Sequence, residues 1–332
     1  MSTTVSPRTG AARVLGSPVL RFLSKRLLHT AIVLLGVLIL VFTLIHLVPG
    51  DPVRIALGTR YTPEAYEALR TASGLDRPLV EQFFGYLGHA LTGDLGVSFR
   101  NGQPVTEVLL ERLPATISLA AVGLAIALLI AIPAGTYSAL REGTFGDGLV
   151  RVFSQFGVSI PDFWMGMLLI TLFSSILGWL PSSGYVAFGD DPGEWFRRVF
   201  TPGLTVGLVS GSIMTRYIRG AVLEVAGANY VRTAKSKGLA PRIVTGVHIA
   251  RNAFIPVLTI TGIQMATMLG GVLVVEVVFA WPGLGRLVYD SVASRDYPVV
   301  QGAVLLIAIA FLTVNLIVDA LYALIDPRIR LS

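Results

Sequence analysis

Residues 27–48 form a run of 22 residues that contains no Asp, Glu, Lys or Arg. As an α-helix, a run of this length would extend about 33 Å, enough to cross the hydrocarbon core of a bilayer. Five basic and no acidic residues precede it within residues 1–26. This order is that of a secretory signal peptide, but no small-residue cleavage site follows. We therefore predict an uncleaved first transmembrane helix, with residues 1–26 as a cytoplasmic N-terminal segment.

Further apolar stretches predict an all-α membrane protein with six transmembrane helices. The chain is 53% hydrophobic and 14% charged, which is too apolar for an ordinary soluble domain. Residues 49–114 carry charges of both signs and are predicted to form an external helical insertion. Residues 115–325 are predicted to form a five-helix core, and residues 326–332 a cytoplasmic tail. The spans predicted in the core are residues 115–140, a third span interrupted at Pro161, a fourth from Pro202 to about Arg216, residues 252–280 and residues 299–325.

The distribution of basic residues predicts the orientation of the chain. Residues 1–26, the 141–151 loop, the 216–251 loop and the tail together hold 16 of the 26 lysines and arginines. The positive-inside rule therefore places both termini in the cytoplasm. These basic residues flank apolar segments and form no aromatic-interleaved patch, which argues against nucleic acid as a partner. Cysteine is absent and no two histidines have metal-ligand spacing, so we predict no metal site.

Two helices are predicted within the external insertion. Thr62 before Pro63 and Glu64 indicates a helix start, and Gly74 indicates its end. A second helix is indicated by apolar residues at three-to-four spacing, which predict a face packed on the membrane or the bundle. These residues are Leu79, Phe83, Phe84, Leu87 and Leu91.

A basic segment, residues 229–258, separates the fourth and fifth predicted spans. Tyr230 to Lys237 favours a helix of about two turns, because it contains Ala and Lys and no helix breaker. Gly238 predicts the end of this helix, since glycine accepts the positive φ of a helix C-terminus. Because so short a helix buries little surface by itself, we expect it to dock on another protein.

This segment resembles the cytoplasmic coupling loop of permease subunits of binding-protein-dependent ABC importers. The loose signature of that loop is Glu-Ala-Ala, three residues and Gly; here Arg232-Thr233-Ala234 and Gly238 occupy these positions, so the Glu and one Ala are replaced. The longer pattern, from Tyr230 to Leu239 and on to Pro256, is similar to the B-type permeases of dipeptide and oligopeptide importers. Residues 74–79, 93–98 and 274–287 extend the resemblance. The predicted coupling residues within the loop, residues 225–251, are Tyr230, Arg232, Thr233, Ala234, Lys235, Lys237, Gly238, Leu239 and Arg251.

The resemblance implies the type I ABC importer fold and an assembly of several chains in a bacterial plasma membrane. It implies a second, related permease as heterodimer partner, two ATPase subunits or one fused ATPase, and an extracellular solute-binding protein that delivers a peptide. The sequence contains no Gly-x-x-x-x-Gly-Lys-Ser/Thr phosphate-binding loop. We therefore expect no enzymatic activity and no cofactor in this chain, with ATP and Mg held by the partner ATPases.

Polar residues at the predicted membrane depth are candidates for lining a passage or for joining helices. They are Gln155, Ser159, Asp162, Gln264, Glu276, Asn315 and Asp319. Asn315 and Asp319 lie four residues apart on one helix face. A hydrogen bond to a neighbouring span is favoured for this pair, because that is the commoner use of isolated polar groups.

Glu276 and Asp162 each allow two interpretations. Glu276, near the external end of the fifth span, could bind a peptide ammonium group or anchor the adjoining loop through Arg286 or Arg295. Asp162 follows Pro161 and could line a cavity or cap the helix that restarts at residue 163.

Three other functions fit parts of the sequence. A permease for nickel chelates or another small solute would carry the same loop motifs. A proton-driven secondary transporter could use Glu276 and Asp319, although only one span is interrupted. An intramembrane hydrolase would require Asp162 and Asp319 to meet across the bundle.

Overall fold

The computed structural model describes residues 18–47, 50–58, 61–72 and 74–325, and within these ranges the chain is helical, with a single β-bridge between Val97 and Pro104. The tail predicted at residues 326–332, residues 1–17 of the predicted N-terminal segment and residue 48 of the first span lie outside the described residues. The helices are α1 (Pro18–Leu47), α2 (Pro52–Leu57), α3 (Pro63–Ala72), α4 (Leu79–Leu91), α5 (Val105–Leu140), α6 (Phe145–Ser159), α7 (Asp162–Ile170), α8 (Pro192–Ala226), α9 (Asn229–Ser236), α10 (Pro241–Ile243), α11 (Ala250–Gly271), α12 (Leu273–Val278), α13 (Leu284–Ala293) and α14 (Tyr297–Ile325). A π-helical turn, Thr171–Ile176, extends α7, and a second, Val244–Ile249, joins α10 to α11.

Four helical segments are long and apolar enough to cross a membrane, or five if a bent pair counts as one span. The four are Ser24–Leu47, Val105–Leu140, Pro241–Gly270 and Tyr297–Leu321. The bent pair is Phe145–Ser159 with Asp162–Ile176, at an angle of 100°. The interruption predicted at Pro161 is therefore present. The predicted count of six spans is not confirmed, because α8 is absent from this set. Gly, Ser and Thr are interspersed through the uncharged part of α8, residues 199–215, and make it less apolar than the other spans.

Helices α5 and α8 form the centre of the fold, and small residues hold them close together. A Cβ at Gly207 of α8 would lie 2.6 Å from Cγ2 of Ile126, and a Cβ at Gly203 would lie 2.6 Å from Cγ1 of Val122. Glycine at these two positions therefore permits a backbone approach that any larger residue would prevent. Helices α6, α7 and α11 pack around this pair.

The second span begins earlier than predicted. Helix α5 starts at Val105 instead of residue 115, so the predicted boundary at residue 114 lies inside a helix. Val105 and Leu109 are buried in a cluster with Leu284 and Val299 of α13 and α14. This tertiary packing stabilises ten residues that the apolar run alone did not assign to the helix.

The fifth span also differs from its predicted bounds of 252–280. The helical path starts at Pro241 and ends at Gly271, and a short α12 follows after Val272. The predicted coupling loop, residues 225–251, therefore shares its last part with a membrane-spanning helix.

Both helices predicted in the external insertion are present, as α3 and α4. The hydroxyl oxygen of Thr62 accepts a hydrogen bond from the N–H of Ala65 (3.1 Å) at the start of α3, and Gly74 follows its end with φ +65°. Helix α4 lies against α1 through the rings of Phe42 and Phe83, whose centroids are 5.4 Å apart.

Helix α2 was not predicted, and Asp51 caps its first turn. The Asp51 carboxylate accepts hydrogen bonds from the N–H groups of Val53 and Arg54 and from the hydroxyl of Tyr66. Burial acts to raise the pKa of Asp51, but these hydrogen bonds outweigh it and hold the pKa below its ordinary value. The cap is therefore ionised at neutral pH.

Candidate functional site

The helix predicted from Tyr230 to Lys237 is present as α9, Asn229–Ser236. Its C-terminus is closed by Gly238, whose φ is +74°. The N–H of Gly238 donates to the carbonyl of Lys235 (3.0 Å), and the N–H of Leu239 donates to the carbonyl of Ala234 (3.4 Å). These two bonds are the pair that defines a Schellman helix end. The predicted helix and its glycine stop are therefore confirmed.

Two side chains of α9 fix it to the body of the protein. Val231 is completely buried and Ala234 nearly so, and both belong to the same apolar cluster as Val244 and Ile249 of the π-helical turn. Ala234, one of the predicted coupling residues, therefore packs α9 onto the body of the protein and does not lie on its exposed face. A charge at Ala234 would disturb the packing of α9 instead of altering an exposed surface.

The remaining predicted residues of the segment form an exposed, cationic surface, which we call the α9 surface. It consists of Tyr230, Arg232, Thr233, Lys235, Lys237 and Leu239. Tyr230 and Leu239 are large apolar side chains exposed by 46% and 39%. Among the described residues, Arg232, Lys235 and Lys237 form no ion pair with a carboxylate. An apolar pair beside three uncompensated cations is a composition suited to an acidic protein partner. Arg251 is also exposed, but it lies on α11 and outside this surface.

A buried ion pair lies where the helix that leads to α9 meets α5 and α6. Arg219 of α8 donates from Nε to Oδ1 of Asp147 (2.9 Å) and from Nη2 to Oδ2 (3.1 Å), a bidentate geometry. The hydroxyl of Ser138 donates to Oδ1 of Asp147, and the N–H of Gly143 donates to Oδ2 (3.1 Å). Asp147 is only 1% exposed, so three elements converge on one fully satisfied carboxylate.

This cluster was not predicted from the sequence. Thr144 caps α6 and accepts from the N–H of Asp147 three residues later, a local pattern that marks the helix start. The pattern did not indicate Arg219, which is 72 residues away along the chain.

Glu276 lies in an enclosed site between α5, α12 and the turn before α13. It is 1% exposed, and it accepts hydrogen bonds from the hydroxyl of Thr116 (2.9 Å) and the N–H of Arg286 (2.9 Å). A Cβ at Gly283 would collide with the Glu276 carboxylate. The geometry favours the predicted loop anchor over a peptide ammonium site. The anchor acts through the backbone N–H of Arg286, one of the two arginines considered for this role.

Replacing Glu276 with Gln tests this anchor. The amide would present an NH2 group to at least one of the donors that now face a carboxylate, leaving a buried donor unsatisfied at a cost of about 1–3 kcal/mol. We expect a lower midpoint of thermal unfolding for the purified protein. Glu224→Gln, at an exposed position on α8, should leave the midpoint unchanged. An equal midpoint for the two variants would contradict the anchor.

Asp319 contacts the first helix. Arg26 of α1 donates from Nη2 to Oδ1 of Asp319 (2.9 Å), and this pair lies beside a cavity of about 340 Å³ that Asn315 also lines. The contact supports the interhelical role that was favoured for the pair. Among the described hydrogen bonds and ion pairs, none joins Asp319 to Asp162, as the hydrolase hypothesis would require.

The other polar candidates lie in two environments. Gln264 is buried within α11, at 7% exposure. Gln155, Ser159 and Asp162 are exposed and flank the 100° bend between α6 and α7. Pro161 occupies the N-cap position of α7 and Asp162 is the first residue of that helix, so of the two interpretations left open for Asp162 the structure does not support the cap. In the described part of the chain, no cluster of His, Asp and Glu could hold a metal ion.

Two family models together cover most of the chain. Residues 131–331 match the model described as the binding-protein-dependent transport system inner membrane component, and residues 19–120 match the N-terminal region of the membrane components of such systems. This chain belongs to that family of inner membrane components. It is 42% identical over 307 residues to a putative peptide transport system permease protein of Brucella abortus (strain 2308), covering 92% of this chain and 98% of the relative. It is 40% identical over 311 residues to the glutathione transport system permease protein GsiC of Escherichia coli (strain K12), covering 94% and 99%.

Solved structures support the fold of this inner membrane component. Two crystal forms of the MetNI methionine ABC transporter in inward-facing conformations align with TM-scores of 0.56 and 0.54, at 16% and 18% sequence identity. Each alignment covers 66% of this chain and 96% of the compared chain. At this identity the likeness concerns the fold alone. The predicted all-α ABC importer permease fold is confirmed, and the chain is a multi-pass membrane protein.

Proposed function

We propose that this chain is the permease subunit of an ATP-driven importer that forms part of a membrane passage for di- or oligopeptides. The observation that carries the coupling role is the α9 surface, a cationic face on a helix anchored by Val231 and Ala234 and closed by Gly238. The peptide and glutathione transport permeases to which the chain is similar support the substrate class.

In this proposal the chain pairs with a second, related permease, and its α9 surface docks on separate ATPase subunits that bind ATP and Mg. Both termini are cytoplasmic, which places α9 on the side where ATP is available. Closure of the ATPases on ATP moves α9, and the permease pair opens outward to receive a peptide from an extracellular binding protein. Hydrolysis then resets the pair. The residues of α9 transmit force and do no chemistry.

The packing of α8 explains how motion of α9 reaches the membrane. Only Gly227 and Ala228 separate α8 from α9, so the two helices cannot move far apart. Arg219, two turns before the end of α8, holds Asp147 of α6. A displacement of α9 is therefore passed to α5, α6 and α8 as one unit.

A charge reversal on the α9 surface tests the proposal. The complex that co-purifies with the tagged chain is reconstituted into liposomes, and ATP-dependent uptake of labelled trialanine is measured with the exported binding protein added. We expect Arg232→Glu combined with Lys235→Glu to reduce uptake at least tenfold, because like charges oppose docking on an acidic partner. Arg232→Lys with Lys235→Arg keeps the charge and should retain uptake.

Three results would count against this function. Uptake that is unaffected by the charge reversal would contradict the docking role of α9. Uptake of a nickel chelate but of no peptide would identify the small-solute alternative. Uptake that needs no ATPase and is abolished by a protonophore would identify a proton-driven carrier.

A further inference from the structure

Arg216 of α8 is a cation whose described partner is neutral. Its Nη1 donates to Oε1 of Gln155 on α6 (3.4 Å), and its side chain is exposed. Among the described residues no carboxylate forms an ion pair with Arg216, whereas Arg219, three residues later, is neutralised by Asp147. Arg219 is therefore held in a structural ion pair, whereas Arg216, on the same helix, has no anionic partner among the described residues.

The guanidinium group of Arg216 lies farther from α9 than the Arg219 pair does. Gln155 is eight residues beyond Asp147 on α6, a rise of about 12 Å away from the end of the helix where Arg219 binds. Side chains on a helix lean towards its N-terminus, which for Arg216 is the direction away from α9. Contact with Gln155 thus holds the charge away from that end of the bundle. An exposed guanidinium group with no carboxylate partner among the described residues can bind an anion from outside the chain.

The surface around this contact is polar, and it is separate from the apolar stripe of α6. Gln155 is flanked one turn away on each side by Arg151 and Ser159, all three exposed. Val152, 52% exposed, borders this polar row, and four further exposed apolar residues of α6 lie on a different stripe of the same helix. They are Phe145, Leu149, Phe153 and Phe156, exposed by 82%, 42%, 71% and 64%. The apolar stripe is suited to lipid, whereas the polar row is suited to an aqueous path.

We infer that Arg216, positioned by Gln155, binds the carboxylate of a peptide on its way through the passage. This inference rests on the proposed function and adds a substrate contact to it. An arginine donates two parallel hydrogen bonds to a carboxylate, and every peptide with an unmodified C-terminus offers one whatever its side chains. The neutral oxygen of Gln155 orients the guanidinium group without cancelling its charge. A site of this kind accepts many peptides and still distinguishes them from uncharged solutes.

The test is equilibrium binding of two probes to the detergent-purified importer complex, without the binding protein and without nucleotide. The probes are labelled trialanine with a free C-terminal carboxylate and the same peptide as its C-terminal amide. We expect the wild-type complex to bind the acid about tenfold more tightly than the amide, as one charge-assisted contact allows. Arg216→Gln should remove this preference, and Arg216→Lys should keep part of it. Arg141→Gln, at an exposed arginine between α5 and α6, is the matched control and should keep it fully.

Gln155→Glu separates binding from helix packing. A carboxylate in place of the amide oxygen would pair with Arg216, strengthening the contact between α6 and α8 while cancelling the charge. If the contact between Arg216 and Gln155 only joins α6 to α8, this variant should still bind the acid more tightly than the amide. If Arg216 binds the peptide carboxylate, the variant should lose that preference. This variant also decides the matter if Arg216→Gln does not assemble.

Four outcomes would overturn the inference. Three of them overturn the Arg216 site and leave the proposed function standing. In the first, the wild type binds acid and amide equally; in the second, Arg216→Gln or Gln155→Glu retains the preference for the acid. In the third, neither probe binds although liposomes containing the complex import trialanine. Absence of both binding and import for these probes would overturn the site together with the proposed peptide function.

Discussion

Replacing Gly238 with Val should reduce ATP-coupled uptake about tenfold while the permease remains assembled. Gly238 has a φ of +74°, and a Cβ there would meet no atom within 4 Å. The cost is therefore one of backbone conformation, about 1–2 kcal/mol for an L-residue in the left-handed region, and it is greatest for a β-branched side chain. A cost of that size reduces the population of the ordered turn by about tenfold. Loss of the turn releases the two hydrogen bonds that close α9 and leaves its cationic face without a fixed direction.

Two control substitutions make this result specific. Gly238→Asn should keep most of the uptake, because asparagine tolerates a positive φ better than other residues with a side chain. Gly220→Val places the same side chain on α8, at a helical glycine with ordinary φ and open space around it, and it should have little effect. Uptake and ATP hydrolysis are measured in liposomes, and assembly is checked by size-exclusion chromatography. Full uptake by Gly238→Val would show that the helix end does not set the docking geometry.

Local chemistry made α9 predictable from the sequence. A helix of about two turns followed by glycine needs only nearby residues to specify its end, and the φ of Gly238 and its hydrogen bonds agree with that expectation. The same holds for the start of α3 at Thr62 and for the break at Pro161. In each case the deciding residue lies within one turn of the feature that it determines.

Features that depend on distant contacts were not predictable in this way. The early start of α5 depends on packing of Val105 and Leu109 against α13 and α14, almost two hundred residues away. The buried state of Ala234 depends on the π-helical turn that folds back on α9. The partner of Asp147 lies 72 residues away, and the hydroxyl that binds Glu276 lies 160 residues away. Sequence pattern identifies polar residues in apolar surroundings, but their partners are known only once the helices have packed.

Replacing Asp147 with Asn should destabilise the permease strongly, and by more than Glu276→Gln. The carboxylate is 1% exposed and the Arg219 side chain 21% exposed, so removal of the anion leaves a mostly buried cation with only a distant, exposed carboxylate as counter-charge. Breaking one partner of a buried pair costs about 3–5 kcal/mol. We expect a clearly lower midpoint of thermal unfolding and a lower yield of assembled complex. Glu142→Gln is the matched control, since Glu142 is 66% exposed and lies 3.9 Å from the same arginine. Its effect should be below about 1 kcal/mol, as for surface pairs in general.

The double variant Asp147→Leu with Arg219→Met separates stability from coupling. Replacing both members of a buried ion pair with apolar residues of similar size is often neutral or stabilising, so the fold should recover. The hydrogen bonds that join Asp147 of α6 to α8 and to the turn at Gly143 would nevertheless be absent, and motion of α9 would no longer reach α6 through a fixed contact. We therefore expect a normal unfolding midpoint together with ATP hydrolysis that drives less uptake per nucleotide. Full uptake per nucleotide in this stable variant would mean that the ion pair serves stability alone, and that the packed glycine interface between α5 and α8 is sufficient to carry the motion.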